Sequence, residues 1–164
     1  MAEVELTDLL INLDGLGTDE IAARGKQLYF QIYLKHGHFG LHLTHDGQIV
    51  VFHERQYEHA FSTTSDRYSH PERKDLIDAT RVARIRWIGA VIAGGIHGSA
   101  CFERPSPTGR ERPPNRLYVA FAECYVVWLE PRQTGGWRFS TAYVATPELI
   151  QKYQRGGRTV CRWG

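Results

Sequence analysis

Three runs in the C-terminal half, RLYVAF at 116–121, ECYVVWL at 123–129 and WRFSTAYVA at 137–145, constrain the fold most. They are rich in β-branched and aromatic residues, and a Pro131–Gly136 loop joins the last two, so each reads as a strand. Too few residues separate them for a helical crossover, and the strands must run antiparallel. Leu117, Val119 and Phe121 oppose Tyr118 and Ala120, while Tyr125, Val127 and Leu129 oppose Cys124, Val126 and Trp128. Both sheet faces are therefore apolar and at least partly covered.

Upstream, Leu28, Phe30, Ile32 and Leu34 alternate with Tyr29, Gln31 and Tyr33, and Phe39, Leu41 and Leu43 alternate up to Asp46-Gly47, a favoured two-residue turn. Ile49 to Phe52 resume the pattern, which predicts a β-meander over 28–53. ERQYEHAF at 54–61 carries Tyr57 and Phe61 four apart and predicts one or two helical turns. A long helix over 72–93 is expected next, opened by Ser69-His70-Pro71 and closed by Gly94-Gly95. Residues 4–13 suggest a short amphipathic helix, Thr18 a second helix start capped by its hydroxyl, and Pro147 to Tyr153 a closing helix. Four of the seven prolines fall between 104 and 116 with Arg104, Arg110, Arg112 and Arg116, a basic loop. Segregated strands and helices define an α+β class: a β-meander and helices packed on an antiparallel, approximately four-stranded sheet.

The 164 residues suit one domain over 26–164, with 1–25 as an acidic helical appendage. The first 25 residues hold six acids against Arg24, giving −5, and the remaining 19 basic and 12 acidic residues give +7. A basic body fits a polyanionic partner such as nucleic acid, with the acidic piece available to cover it. No apolar stretch reaches membrane-spanning length and no signal peptide is evident, so a cytoplasmic protein with no membrane partner is expected. Three cysteines without a CxxC pair suggest neither a disulfide framework nor a cysteine zinc site. P-loop, GxGxxG, HExxH and GxSxG patterns are absent.

Several residues can carry chemistry. On a helix, Arg81 falls within the arc of Ile77, Ile85, Ile88 and Ile92, so a guanidinium on a packing face must be paired or meet an anion. Arg84, about 60° further round, makes a two-pronged phosphate clamp conceivable. By strand alternation Thr141 and Tyr143 share a face with Trp137 and Phe139, aligning two hydroxyls able to stabilise a phosphorane oxyanion. His53 and His59, at a strand end and in the short helix, have the imidazole chemistry to move the proton of a ribose 2′-OH. His36, His38 and His42 could share one strand face with His45 at the turn, an arrangement that a metal site would need but that spacing alone does not secure.

The series FHERQYEHAF at 52–61, RVARIRWIGAVI at 81–92, RLYVAF at 116–121, CYVVWLEP at 124–131 and WRFSTAY at 137–143 resembles the phage and mobile-element ribonuclease-like domains. These belong to the superfamily of barnase, EndoU, colicin and RelE nucleases. The resemblance covers about residues 30–153 and implies helices on a four-stranded antiparallel sheet. It also implies metal-independent RNA cleavage without a cofactor, giving a 2′,3′-cyclic phosphate and a 5′-OH. Carried over by motif, His59 is the acid or base and His53 a weaker second proton carrier. Arg81 and Arg84 are the phosphate clamp, and Thr141 and Tyr143 the hydroxyls on the sheet floor. A second histidine followed by lysine, as in EndoU, and barnase's glutamate base are not found. The implied protein is a toxin or effector of a phage or mobile element held by a cognate inhibitor or immunity protein. Two other readings stand beside it, a noncatalytic RNA-binding or protein-interaction module on the same scaffold and an ADP-ribosyltransferase-like enzyme.

Overall fold

The computed structural model describes residues 5–34, 42–64, 69, 76–105 and 113–164. It has a mixed α+β architecture built on one large sheet. The first helix, α1 (Thr18–Tyr29), continues into one wider helical turn over Phe30–Leu34. Then come β1 (Val50–Val51), α2 (Gln56–Phe61), the small antiparallel pair β2 (Ser62–Thr63) and β3 (Leu76–Ile77), and the helices α3 (Ala79–Ala83) and α4 (Ile85–Ile92). Four antiparallel strands follow, β4 (Ser99–Arg104), β5 (Asn115–Ala120), β6 (Tyr125–Pro131) and β7 (Trp137–Val144), and the chain closes with α5 (Pro147–Arg155) and β8 (Arg158–Trp163).

The sheet order is β1-β7-β6-β5-β4-β8. The expected four antiparallel strands are thus extended at both edges to six, and β1 pairs parallel to β7, so the sheet is mixed. Neither β4 nor β8 is apparent from the sequence reading. In the sequence SACFER runs straight into the Pro- and Arg-rich stretch, and RTVCRW is too polar to mark itself as a strand.

Residues 28–34 are helical, contrary to the expected meander. Ile21, Gly25, Leu28, Tyr29, Ile32 and Tyr33 follow helical spacing, and Leu28, Tyr29 and Tyr33 are buried while Phe30 is exposed. Tyrosine side chains fix this segment: the Tyr33 hydroxyl donates to the Ile85 carbonyl at 2.5 Å, and the Tyr29 hydroxyl to that of His53 at 2.8 Å. Gly17, not Thr18, caps α1, its N–H donating to the Glu20 carboxylate at 3.3 Å. Residues 4–13 do not form the expected helix over their described part, which has only a 3₁₀ turn, Leu6–Leu9, with Leu6 in the core. The Asp46-Gly47 turn is present, with Gly47 at φ 78° and a Leu43–Ile49 bridge.

The expected 72–93 helix is divided. Ile77 joins the short strand opposite Ser62, Asp78 caps a new helix by accepting from the Arg81 N–H at 3.2 Å, and Arg84, at φ −104° and ψ 15°, separates α3 from α4. The Ser69-His70-Pro71 opening lies largely outside the described residues, as do His36, His38, Arg110 and Arg112.

Each sheet face is covered by a different layer. On one, α1 and α4 bury Leu28, Tyr29, Ile85, Ile88 and Ile92 against Tyr118, Tyr125, Val127, Leu129, Phe139 and Ala142. On the other, α5 buries Ile150 against Ala100, Phe102, Leu117, Val119 and Val126. Burial of each such large side chain contributes about 1.5–3 kcal/mol, which makes the two layers the principal stabilisation of the fold.

Candidate functional site

The register of β7 decides where the candidate hydroxyls lie. Leu129 pairs with Phe139 but Trp128 pairs with Thr141, leaving Ser140 as an extra residue. This β-bulge resets the alternation. Phe139 and Ala142 both enter the α4-side core, whereas Tyr143 packs with Trp128 on the α5 side. The expected common face of Thr141 and Tyr143 with Trp137 and Phe139 is therefore not formed. Thr141 and Tyr143 share the opposite face with Trp128.

β1 covers only the first residues of β7, Trp137 and Arg138, so the bulge faces the short helices rather than another strand. Gln56 of α2 donates from its side-chain amide to the Ser140 carbonyl at 2.5 Å, tying α2 to the bulge. Beside it, Arg81 reaches from α3 with its guanidinium 5.2 Å from the centre of the Tyr143 ring. That guanidinium also donates to the Ala60 carbonyl at 3.0 Å and pairs with Asp78 at 3.4 Å, with 17% of its side chain exposed. Arg81 thus bridges the helix carrying His59 and the strand carrying Thr141 and Tyr143. His59 is exposed near the end of α2, one residue before the carbonyl that Arg81 holds.

Among the described residues, Arg84 makes its side-chain contacts within its own helical segment rather than at this edge. Its guanidinium donates to the Thr80 carbonyl at 3.0 Å, lies 4.9 Å from the Trp87 ring and leaves its Nε buried without a partner among the described residues. The kink that makes Arg84 a helix boundary separates it from the geometry expected on a continuous helix.

The Tyr143 hydroxyl is engaged, 2.6 Å from that of Tyr153 and accepting from the Trp128 indole N–H at 3.2 Å. Tyr153 lies 5.4 Å from the Arg104 guanidinium. A pair of hydrogen-bonded tyrosines, Tyr143 and Tyr153, is therefore flanked by Arg81 at one end and Arg104 at the other.

His53 occupies a second part of the same edge. It lines an open cleft of about 470 Å³ with Lys26, Glu54, Arg55, Tyr57 and Glu58. Partial burial and the neighbouring cations Arg55, Arg138 and Arg132 lower its pKa below the ordinary histidine value. Arg138 projects from β7 and is paired with Glu130 of β6. Arg55 is a near neighbour of His53 in the chain, whereas Arg132 and Arg138 come to it from the other side of the sheet edge, where β1 pairs parallel to β7, and the sequence reading does not single them out.

A separate polar cluster lies under the 44–47 turn. Arg116, counted with the basic loop but also the first residue of the expected strand, lies in β5 and is only 4% exposed at its side chain. It donates to Asp46 at 2.8 Å and Glu103 at 3.2 Å, and stacks 4.5 Å from the Trp137 ring. Burial opposes ionisation of Asp46, but hydrogen bonds from Arg116 and Thr44 outweigh it and hold the carboxyl at about 2. His45 contacts the Tyr118 hydroxyl through Nδ1 at 2.7 Å, and burial lowers its pKa. Among the described residues no group of histidine, cysteine or acidic side chains is placed to hold a metal, and no helix is long and apolar enough to cross a membrane.

Comparison of the chain with protein-family models, curated proteins and solved structures found no match.

Proposed function

We propose that this chain is a metal-independent endoribonuclease whose reaction edge runs along α2, α3 and the bulged part of β7. The observation that carries this reading is the position of Arg81, between the Ala60 carbonyl next to His59 and the ring of Tyr143. A guanidinium so held can neutralise a phosphodiester as negative charge builds on its oxygens. In the proposed reaction the ribose 2′-OH loses its proton to an imidazole and attacks the adjacent phosphate. The 5′-oxygen leaves with a proton, giving a 2′,3′-cyclic phosphate and a 5′-OH. His59 is the first proton carrier and His53 the second, with Thr141 donating a hydrogen bond to the phosphorane. Since the Tyr143 hydroxyl is already engaged, its ring positions Arg81 in this scheme. The proposed protein is a cytoplasmic toxin or effector of a phage or mobile element, restrained by a cognate inhibitor.

The engaged Tyr143 hydroxyl and the withdrawn Arg84 favour a second reading, a noncatalytic RNA-binding module that uses the same arginines and rings for backbone and stacking contacts. Incubating the purified protein with total and transfer RNA in a chelator, followed by end-group analysis, separates the two. Cyclic phosphate and 5′-OH ends are expected. Intact RNA held in a saturable complex would replace the enzyme with the binding module.

A further inference from the structure

Cys101 of β4 and Cys161 of β8 are direct partners across an antiparallel strand pair. Directly opposed residues project from the same face with Cβ atoms about 4.5–5.5 Å apart, against about 3.5–4.5 Å in a disulfide, so a small local approach joins them. The chain has slack at that point. The register steps from Cys101–Cys161 to Phe102–Thr159, which leaves Val160 as an extra residue immediately before Cys161. β8 is also an edge strand, held in the sheet by β4 alone.

The two thiols have different access. Cys101 is fully buried and Cys161 half-buried. Cys124 lies in the tight turn between β5 and β6 at φ 51° and packs with the α5-side cluster, whereas Cys101 belongs to the cluster on the other sheet face.

We propose that Cys101 and Cys161 are an oxidisable dithiol, a modification site that forms an intramolecular disulfide with a small disulfide oxidant of the glutathione class. The Cys161 thiolate attacks one sulfur of the oxidant, breaks its S–S bond and releases one reduced thiol, leaving a mixed disulfide on Cys161. Cys101 then loses its proton, attacks the Cys161 sulfur and expels the second reduced thiol. Two protein thiols are oxidised, one oxidant disulfide is reduced to two thiols, and both protons leave with them. Burial pushes the Cys101 thiol up to about 12, so Cys161 is the entry point and Cys101 the resolving partner.

The bond staples the last strand to the sheet. Two residues beyond Cys161, the Trp163 ring packs 5.0 Å from His45 and 6.5 Å from Tyr118, so the staple also fixes the cover over the Arg116 cluster.

The full-length protein is equilibrated with excess oxidised glutathione under native conditions, the free thiols are alkylated, and the peptides are mapped by mass spectrometry. A Cys101–Cys161 linkage with Cys124 still alkylated is expected. The melting temperature should rise on the order of 5–10 °C, reversibly with dithiothreitol. Cys161→Ser, at a half-buried position, should abolish the linkage and the thermal shift, and Cys124→Ser should leave both. A linkage that uses Cys124, one that joins two chains, or free Cys101 and Cys161 in the equilibrated folded protein would overturn the proposal.

Discussion

The Arg81 guanidinium stands 5.2 Å from the centre of the Tyr143 ring while donating to the backbone carbonyl of Ala60, so α2, α3 and β7 meet at one cation. Cation–π contacts of this kind are worth about 0.5–2 kcal/mol depending on solvation, enough to favour one rotamer of a long side chain. A preset guanidinium needs little reordering when an anion arrives.

Arg81 and Arg84 should therefore separate under mutation. Arg81→Ala is expected to reduce RNA cleavage about 100-fold or more and to weaken binding of an uncleavable 2′-deoxy oligonucleotide. Arg84→Ala, whose side chain is turned onto Thr80 and Trp87, should change cleavage by no more than a few-fold. Parallel single-turnover rates and binding titrations check this. Equal losses from the two variants would restore the symmetric clamp expected from the sequence.

The two histidines should differ as well. His59→Ala is expected to lower cleavage by about 10²–10⁴ with binding largely kept, the range for loss of a general acid or base. For His53, partial burial and the charges of Arg55, Arg138 and Arg132 lower the folded-state pKa. The neutral imidazole therefore persists to lower pH in the folded protein than in the unfolded chain, and acidification through that interval favours unfolding. An NMR titration should place the His53 midpoint below the ordinary histidine value, and Arg138→Ala should move it upward. A midpoint unmoved by Arg138→Ala would remove the proposed electrostatic contact.

The Arg116 cluster should govern acid stability. Arg116→Ala removes the buried cation shared by Asp46 and Glu103; since Asp46 is partly exposed and Glu103 keeps Arg158, the loss expected is that of charged hydrogen bonds, about 1.5–3 kcal/mol. The Asp46 carboxyl is held at about 2 against 3.8 for the free side chain. Its contribution to stability is complete above the unfolded value and is lost as pH falls through the folded one. Thermal melts between pH 4 and pH 2 should show a steep loss for the natural sequence and a shallower one for Asp46→Asn. Coincident profiles would show that this pairing does not set the acid limb.

Much of the C-terminal fold was legible because β5, β6 and β7 are runs of β-branched and aromatic residues with short connections, and α5 opens on Thr146-Pro147. Residues 28–34 misled because their apolar side chains satisfy both strand and helix periods, and tertiary hydrogen bonds from Tyr29 and Tyr33 decide for helix. The Ser140 bulge has no local signature, yet it moves Thr141 and Tyr143 to the other sheet face. Arg81 could be singled out from its place among isoleucines, whereas the kink at Arg84 and the approach of Arg132 and Arg138 to His53 depend on long-range packing.

Matched RNAs give the most direct measurement. One is all-ribose around a mapped cut site, and the other carries a single 2′-deoxyribose there, both assayed in excess chelator. Cleavage of the first to a 2′,3′-cyclic phosphate, with the second bound but uncut, is the expected result. Equal cutting of both, or cutting that stops with the chelator, would contradict a 2′-OH attack supported by Arg81 and His59.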